Sequence, residues 1–304
     1  MTDPTITFAS NFDTEFRRQT HGLSHHEIPL FRAMHSALVS LNGQFQIEEY
    51  HGTSHQVMFT GNGSYARTNA RCELSDLMIV TYSPNTKHVR LTYLQAKSEK
   101  AALSSVCGSQ FSANLEQWFL LSTRPRIKGV GSFNPPSDLL SNALLSSVGS
   151  FAFFYQDQVG DFQTYFATAN HLSPPRIYSQ KNGKLKAQSP CMVVTNAGYT
   201  ECLAACGNDS FARSLYRLEI GTPIHAAIGQ SLSTRNWLAA ILRSQIHIAL
   251  QTDKVTDLAQ ELLGLLDPLE PEDIHTPSSS FGAKNLIIIK SGSESNSAVN
   301  ENAT

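Results

Sequence analysis

Asp76, Gln95 and Lys97 are the residues of this 304-residue chain whose types and spacing point to chemistry. Asp76 opens a short apolar, β-branched run over residues 77–82, and Gln95-Ala96-Lys97 closes an alternating run over 87–96. Between them, Ser83-Pro84-Asn85-Thr86 is turn chemistry, because Pro fixes φ and Asn tolerates tight positions. The two runs predict a β-hairpin. Counted outward from the turn, Asp76 lands opposite residues 93–95. Gln95 and Lys97 are two apart, so they leave the same face about 6.5–7 Å from each other. One carboxylate, one amide oxygen and one ammonium converge at one end of a two-stranded ribbon. A hard divalent ion takes oxygen ligands, which Asp76 and the Gln95 carbonyl supply. Such an ion lowers the pKa of a bound water and neutralises charge on a phosphorane. Lys97 can orient the attacking water or stabilise developing negative charge. The chemistry is metal-assisted phosphodiester cleavage. The same residues also fit an ordinary buried hairpin, in which Asp76 caps a turn with Ser75, Gln95 pairs with backbone and Lys97 is solvated.

Asp76, the strand pair and Gln95-Ala96-Lys97 together resemble the PD-(D/E)xK nuclease superfamily. More narrowly they are similar to its Mrr-like branch, in which Gln replaces the acid of the (D/E)xK element. The resemblance spans residues 72–100. It implies a restriction-endonuclease-like mixed β-sheet flanked by helices, in an α/β chain. It implies Mg²⁺ or Mn²⁺ held by Asp76 and Gln95, with Lys97 acting on water or charge. It implies DNA as substrate, in restriction or phage defence. A helix before the sheet often supplies an extra acid in this family, and Glu27 or Glu15 fits that place. Glu73, three residues before Asp76, can join the metal site, hold Arg67 or Arg71, or be solvated. The candidate catalytic set is therefore Asp76, Gln95 and Lys97, with Glu73 and Glu27 as reserve acids. Gln95 is a neutral ligand, which motivates a second reading: a non-catalytic module on the same fold that binds nucleic acid or a partner. A third is an interaction protein that docks through its late helices and last strand.

The elements that must position these residues are legible in part. Apolar residues Leu30, Phe31, Met34, Leu38 and Leu41 fit the helical period and predict a helix over 28–41. Ser24 and Glu27 form a capping box before it, with Pro29 tolerated in the first turn, and this already explains Glu27. His25 and His26 are expected in solvent at that helix start. Phe12, Glu15 and Phe16 suit a short helix. Strands are expected over 45–50 and 55–60, with Glu48 and Glu49 ending the first as further acids, and Gly61-Asn62-Gly63-Ser64 is a tight turn. Phe111, Leu115, Trp118 and Phe119 predict a helix over 109–121, with Trp118 a core anchor and Gln110, Asn114 and Gln117 a polar line behind it. Ser137-Asp138 caps a short helix through 145. Residues 151–155 and 162–168 form a second hairpin, whose first strand extends the catalytic sheet, and 191–195 form a strand. Helices over 231–250, with Ser233 as N-cap, and over 253–266 form a hairpin that covers the sheet or offers a homodimer face. Leu286-Ile287-Ile288-Ile289 is a strand that must pair with something.

The chain divides by composition into a nuclease-like core over 1–135, a mixed α+β second half over 136–268, and a linker, short strand and disordered tail over 269–304. The second half widens the core or recognises the target. Hydrophobic residues make up 41% and charged residues 16%, with net charge −2, so any nucleic-acid footprint must be local. Arg124, Arg126 and Lys128 form the densest basic cluster and are the candidate phosphate contacts. Residues 173–176, with Arg176, and 180–188 make a basic, turn-rich segment that is the second candidate edge. Five cysteines at irregular spacing predict a reduced, cytoplasmic protein. Cys202 and Cys206 lack zinc-ligand spacing and read as small core residues sharing a helix face. No segment suggests a membrane span or signal peptide, and no P-loop, G-x-S-x-G or H-E-x-x-H motif is present.

Overall fold

In chain order the helices are α1 (Pro4–Thr20), α2 (Glu27–Asn42), α3 (Leu115–Thr123), α4 (Asn208–Tyr216), α5 (Leu232–Leu250) and α6 (Asp257–Leu266). The strands are β1 (Gln56–Phe59), β2 (Ala70–Glu73), β3 (Ser75–Ser83), β4 (His88–Ser98), β5 (Gln110–Asn114), β6 (Lys128–Gly129) and β7 (Gly149–Gln156), then β8 (Phe162–Thr168), β9 (Leu172–Ser173), β10 (Asn182–Ala187), β11 (Met192–Asn196), β12 (Tyr199–Cys206), β13 (Thr222–Pro223) and β14 (Ala283–Lys290). The computed structural model describes residues 3–42, 56–100, 102–103, 105–131, 133–176, 181–225, 227–250, 257–266 and 283–291. The strand expected over 45–50, with Glu48 and Glu49, lies outside them, as do the linker and the tail after Ser291.

β3 and β4 form the antiparallel hairpin that the sequence predicts, with Leu77 opposite Leu94 and Ser83 opposite His88. β7 adds to β4 in parallel, and β8 returns antiparallel beside it. β14 pairs in parallel with the other side of β3. The main sheet is therefore mixed, in the order β11-β12-β8-β7-β4-β3-β14, with β13 on β4. Strands from all three sections that composition separates share this one sheet.

Every position of β3 is buried, because helices cover both faces and leave no solvated side. Side-chain alternation sends Met78, Val80, Tyr82, Leu91 and Tyr93 into one core, with α3, α5 and α6. It sends Leu77, Ile79 and Leu94 into the other, with α1, α2 and α4. α1 runs to Thr20 because Asp3 caps it at 2.8 Å from the Thr5 amide and Phe8, Phe12 and Phe16 make one apolar stripe. The α5–α6 hairpin covers the sheet, and the Tyr82 hydroxyl donates to Glu261 at 2.5 Å.

Four expectations are corrected. Residues 110–114 are a strand, not the first turns of a helix. Phe111 and Ala113 point inward while Gln110 and Ser112 face out, and Asn114 then caps α3 at 3.0 Å from the Glu116 amide. Residues 137–145 form turns rather than a helix, and the Ser233 hydroxyl donates to Asp138 at 3.0 Å. Cys202 and Cys206 stand on β12. The register with β11 slips by one residue between the Met192–Ala204 and Val193–Cys202 pairs, which places the two thiols in opposite cores. α2 begins at Glu27, with the His26 carbonyl accepting from Leu30, so Ser24 lies outside the helix and is not its cap.

At the far end of the hairpin, His225 stacks on His88 at 4.7 Å between ring centres, and the Tyr199 hydroxyl lies 3.3 Å from its Nε2. Burial pushes the His225 pKa down to about 4, and His88, Arg90 and Arg235 add to the effect. An unfolded chain takes a proton on this ring near the ordinary value of about 6.5, before the folded one does. The stability it contributes is therefore present above about pH 6.5 and lost as pH falls towards 4, by about 3 kcal/mol. Urea midpoints at pH 7 and 4.5 should show this loss, and His225→Gln should flatten it.

Candidate active site

Asp76 sits at the start of β3 and Gln95 near the end of β4. The register that sets Leu77 opposite Leu94 carries them opposite each other. Both are buried. The Asp76 Oδ2 accepts from the Ala96 amide at 3.0 Å and from the Gln95 side-chain nitrogen. The Gln95 Oε1 in turn accepts from Gln117 Nε2 at 2.9 Å. A chain of side chains thus runs from α3 through β4 to β3. A buried amide left without partners is costly, so each link fixes the rotamer of the next. Gly149, at the start of β7, lets α3 come this close: a Cβ there would stand 2.7 Å from the Leu121 carbonyl.

Lys97 extends from β4 towards the start of α2, where its ammonium meets Glu27 Oε1 at 3.0 Å. The α2 start is fastened to the same strand end. The Ser98 hydroxyl donates to the His25 carbonyl at 2.7 Å, and His25 Nδ1 lies 3.1 Å from the Glu99 carbonyl. His25 is therefore half-buried against the sheet edge rather than in solvent, and Glu27 is aimed at Lys97. Glu15 is elsewhere, bound to Arg18 at 2.5 Å and to Gln19 at 2.7 Å. Arg67 goes to Glu116 and Arg71 to Gln56.

Asp76, Gln95, Lys97, Glu73 and Glu27 all line one open cleft of about 750 Å³. The opposite wall comes from Ser112 and Asn114 on β5 and Gln117 on α3, which the sequence did not single out as a site, and from Arg176 and, on β10, Asn182 and Lys184, which belong to the second candidate edge. Two signals pointed there. Gln117 belonged to the polar line behind Trp118, and Lys184 to the second basic segment. Trp118 is the core anchor expected, its indole nitrogen donating to the Ala169 carbonyl at 2.9 Å.

Arg124, Arg126 and Lys128 do not reach the cleft. Arg124 is corrected from a phosphate contact to a structural clasp: its guanidinium donates to the Ala143 and Leu145 carbonyls at 2.8 and 3.2 Å. Arg126 is exposed, and Lys128 is exposed on β6, paired to β1.

The oxygen chemistry of the cleft fits a hard divalent ion. Mg²⁺ needs only one or two carboxylates, with water and substrate phosphate completing its shell. Among the described residues no three His, Cys, Asp or Glu side chains cluster tightly enough to hold a metal by themselves. The residues that would hold one are Asp76 and Gln95. The Gln95 amide presents its nitrogen to Asp76, and turning that near-symmetric group end for end would present its oxygen. Gln117 would have to turn with it. Gln117→Leu should leave Gln95 Oε1 buried without a donor and lower stability by about 1–3 kcal/mol, read from urea unfolding.

Comparison of the chain with known protein families, with curated proteins and with solved structures found no match. No helix among the described residues is long and apolar enough to cross a membrane.

Proposed function

We propose that the protein is a metal-dependent nuclease that hydrolyses phosphodiester bonds of DNA, on a restriction-endonuclease-like core, in restriction or phage defence. One observation carries this reading. Five residues singled out by type, spacing and family resemblance lie on four separate elements, α2, β2, β3 and β4, and all line the same cleft. An ordinary buried hairpin has no need of that convergence.

When bound, a divalent ion would supply a water of lowered pKa and neutralise charge on the phosphate. The chain's own residues do the rest. Asp76 is held by the Ala96 amide, so its carboxylate is already oriented and needs no reorganisation. Lys97 brings a fixed positive charge to the cleft, and Glu27 keeps that long side chain from wandering. On binding, a phosphate oxygen competes with Glu27 for the Lys97 ammonium. Gln117 sets which end of the Gln95 amide faces Asp76.

The test is purified full-length protein on supercoiled plasmid with Mg²⁺, Mn²⁺ or EDTA. Nicking or linearisation that EDTA removes is the expected result. No cleavage of methylated or unmethylated plasmid with either metal would overturn the nuclease in favour of the second reading, a binding module. That reading draws on the Gln95 amide being tied at both ends.

A further inference from the structure

The cleft has two unlike walls. One carries the carboxylates of Glu27, Glu73 and Asp76. The other is the antiparallel ribbon of β5 and β10, with Asn114 opposite Asn182, Ser112 opposite Lys184 and Gln110 opposite Lys186. Alternation sorts this ribbon cleanly. Phe111, Ala113, Leu185 and Ala187 are buried in the core. The six residues of the three pairs just named share the other face. That face holds amides, a hydroxyl and two ammonium groups, and no acid.

Lys184 and Lys186 make no ion pair among the described residues, although carboxylates line the opposite wall. Lys181, by contrast, stands 3.8 Å from Glu116 at the ribbon's entry. Two cations on adjacent same-face positions of an otherwise neutral strand have no ion-pair partner among the described residues. They suit a polyanion lying along the ribbon and across the cleft mouth.

We infer that the β5–β10 ribbon is the docking surface for double-stranded DNA, with Lys184 and Lys186 as phosphate contacts beside the Asp76–Lys97 cleft. The inference rests on the proposed nuclease reading for the identity of the polyanion. β9 pairs with β10 only at Lys186 and Ala187, so from Asn182 to Leu185 the ribbon is two strands wide, the width a major groove admits, and the Gln110 and Asn182 amides match base edges there. The outward positions carry no aromatic ring of the kind on which single-stranded bases stack, which selects duplex over single strand.

The experiment is fluorescence anisotropy with a labelled duplex and the matching single strand, in EDTA so that cleavage plays no part, across a salt series. Wild type should prefer the duplex. Lys184→Ala/Lys186→Ala should weaken binding roughly tenfold or more and make the slope of log K against log salt shallower by about two. Arg126→Ala/Lys128→Ala should change neither, and thermal melting should show all variants folded. Wild-type affinity and slope in the ribbon variant would overturn the assignment, as would a preference for the single strand or no binding to either. Plasmid cleavage separates this from the parent reading. Binding through the ribbon without cleavage sinks the nuclease alone. Wild-type cleavage by the ribbon variant sinks the ribbon alone.

Discussion

Lys97→Ala and Asp76→Asn should each lower plasmid cleavage by about a hundredfold to a thousandfold while leaving the protein folded. The magnitude is that of removing one preorganised charge-stabilising group from an active site. The folding half of the expectation follows from the contacts. Lys97 gives up one ion pair with a partly exposed Glu27, and such pairs are worth about 0–1 kcal/mol. At Asp76 the choice of substitution matters. Alanine would strand the Ala96 amide and the Gln95 nitrogen, both buried, and mix a stability loss into the readout. Asparagine keeps an acceptor oxygen in the same place and removes only the charge. Cleavage assays and thermal melts on the same preparations check both halves. Full activity in both variants would remove the assignment.

The hairpin could be read from local signals alone, since a period of two, a Pro-Asn turn and polar strand ends all lie within residues 72–100. The acid end of the cleft followed from it. Glu27 was harder. Its place before an apolar helix looked like capping, and only the fastening of His25 to Glu99 and Ser98 aims it at Lys97. The opposite wall was hidden by coincidence of period. Phe111, Leu115, Trp118 and Phe119 keep helical spacing straight across a strand-to-helix junction, and Asn114 at that junction was the missed cap. The second basic segment looked like a loop because Asn182-Gly183 is turn chemistry, whereas pairing with β5 makes it a strand. Arg124 shows the converse error: a cation in a loop reads as a surface contact until two carbonyls from a distant turn are found around it. Each of these depends on residues far apart in sequence, where local pattern is silent.

The last strand is the strongest case, and it carries the largest stability prediction. A chain ending at Leu266 should fail to fold. β14 follows β3 in sequence by some two hundred residues, yet pairs with it in parallel from Ser75 to Tyr82. Leu286 and Ile288 fill the core under α6, and Ile287 and Ile289 fill the core under α2. Without the strand, both helices lose the surface they cover. The backbone amides and carbonyls of β3, the strand that carries Asp76, lose their partners inside an apolar layer, where each unpaired group costs about 1–3 kcal/mol. A total stability of about 5–15 kcal/mol does not absorb that. The milder variant Ile288→Ala should fold and cost about 2–5 kcal/mol, because its cavity lies in a packed core. Far-UV circular dichroism and thermal melting compare the three chains. Cooperative melting of the truncated chain near the full-length midpoint would show that β14 is an appendage and that the cleft is built without it.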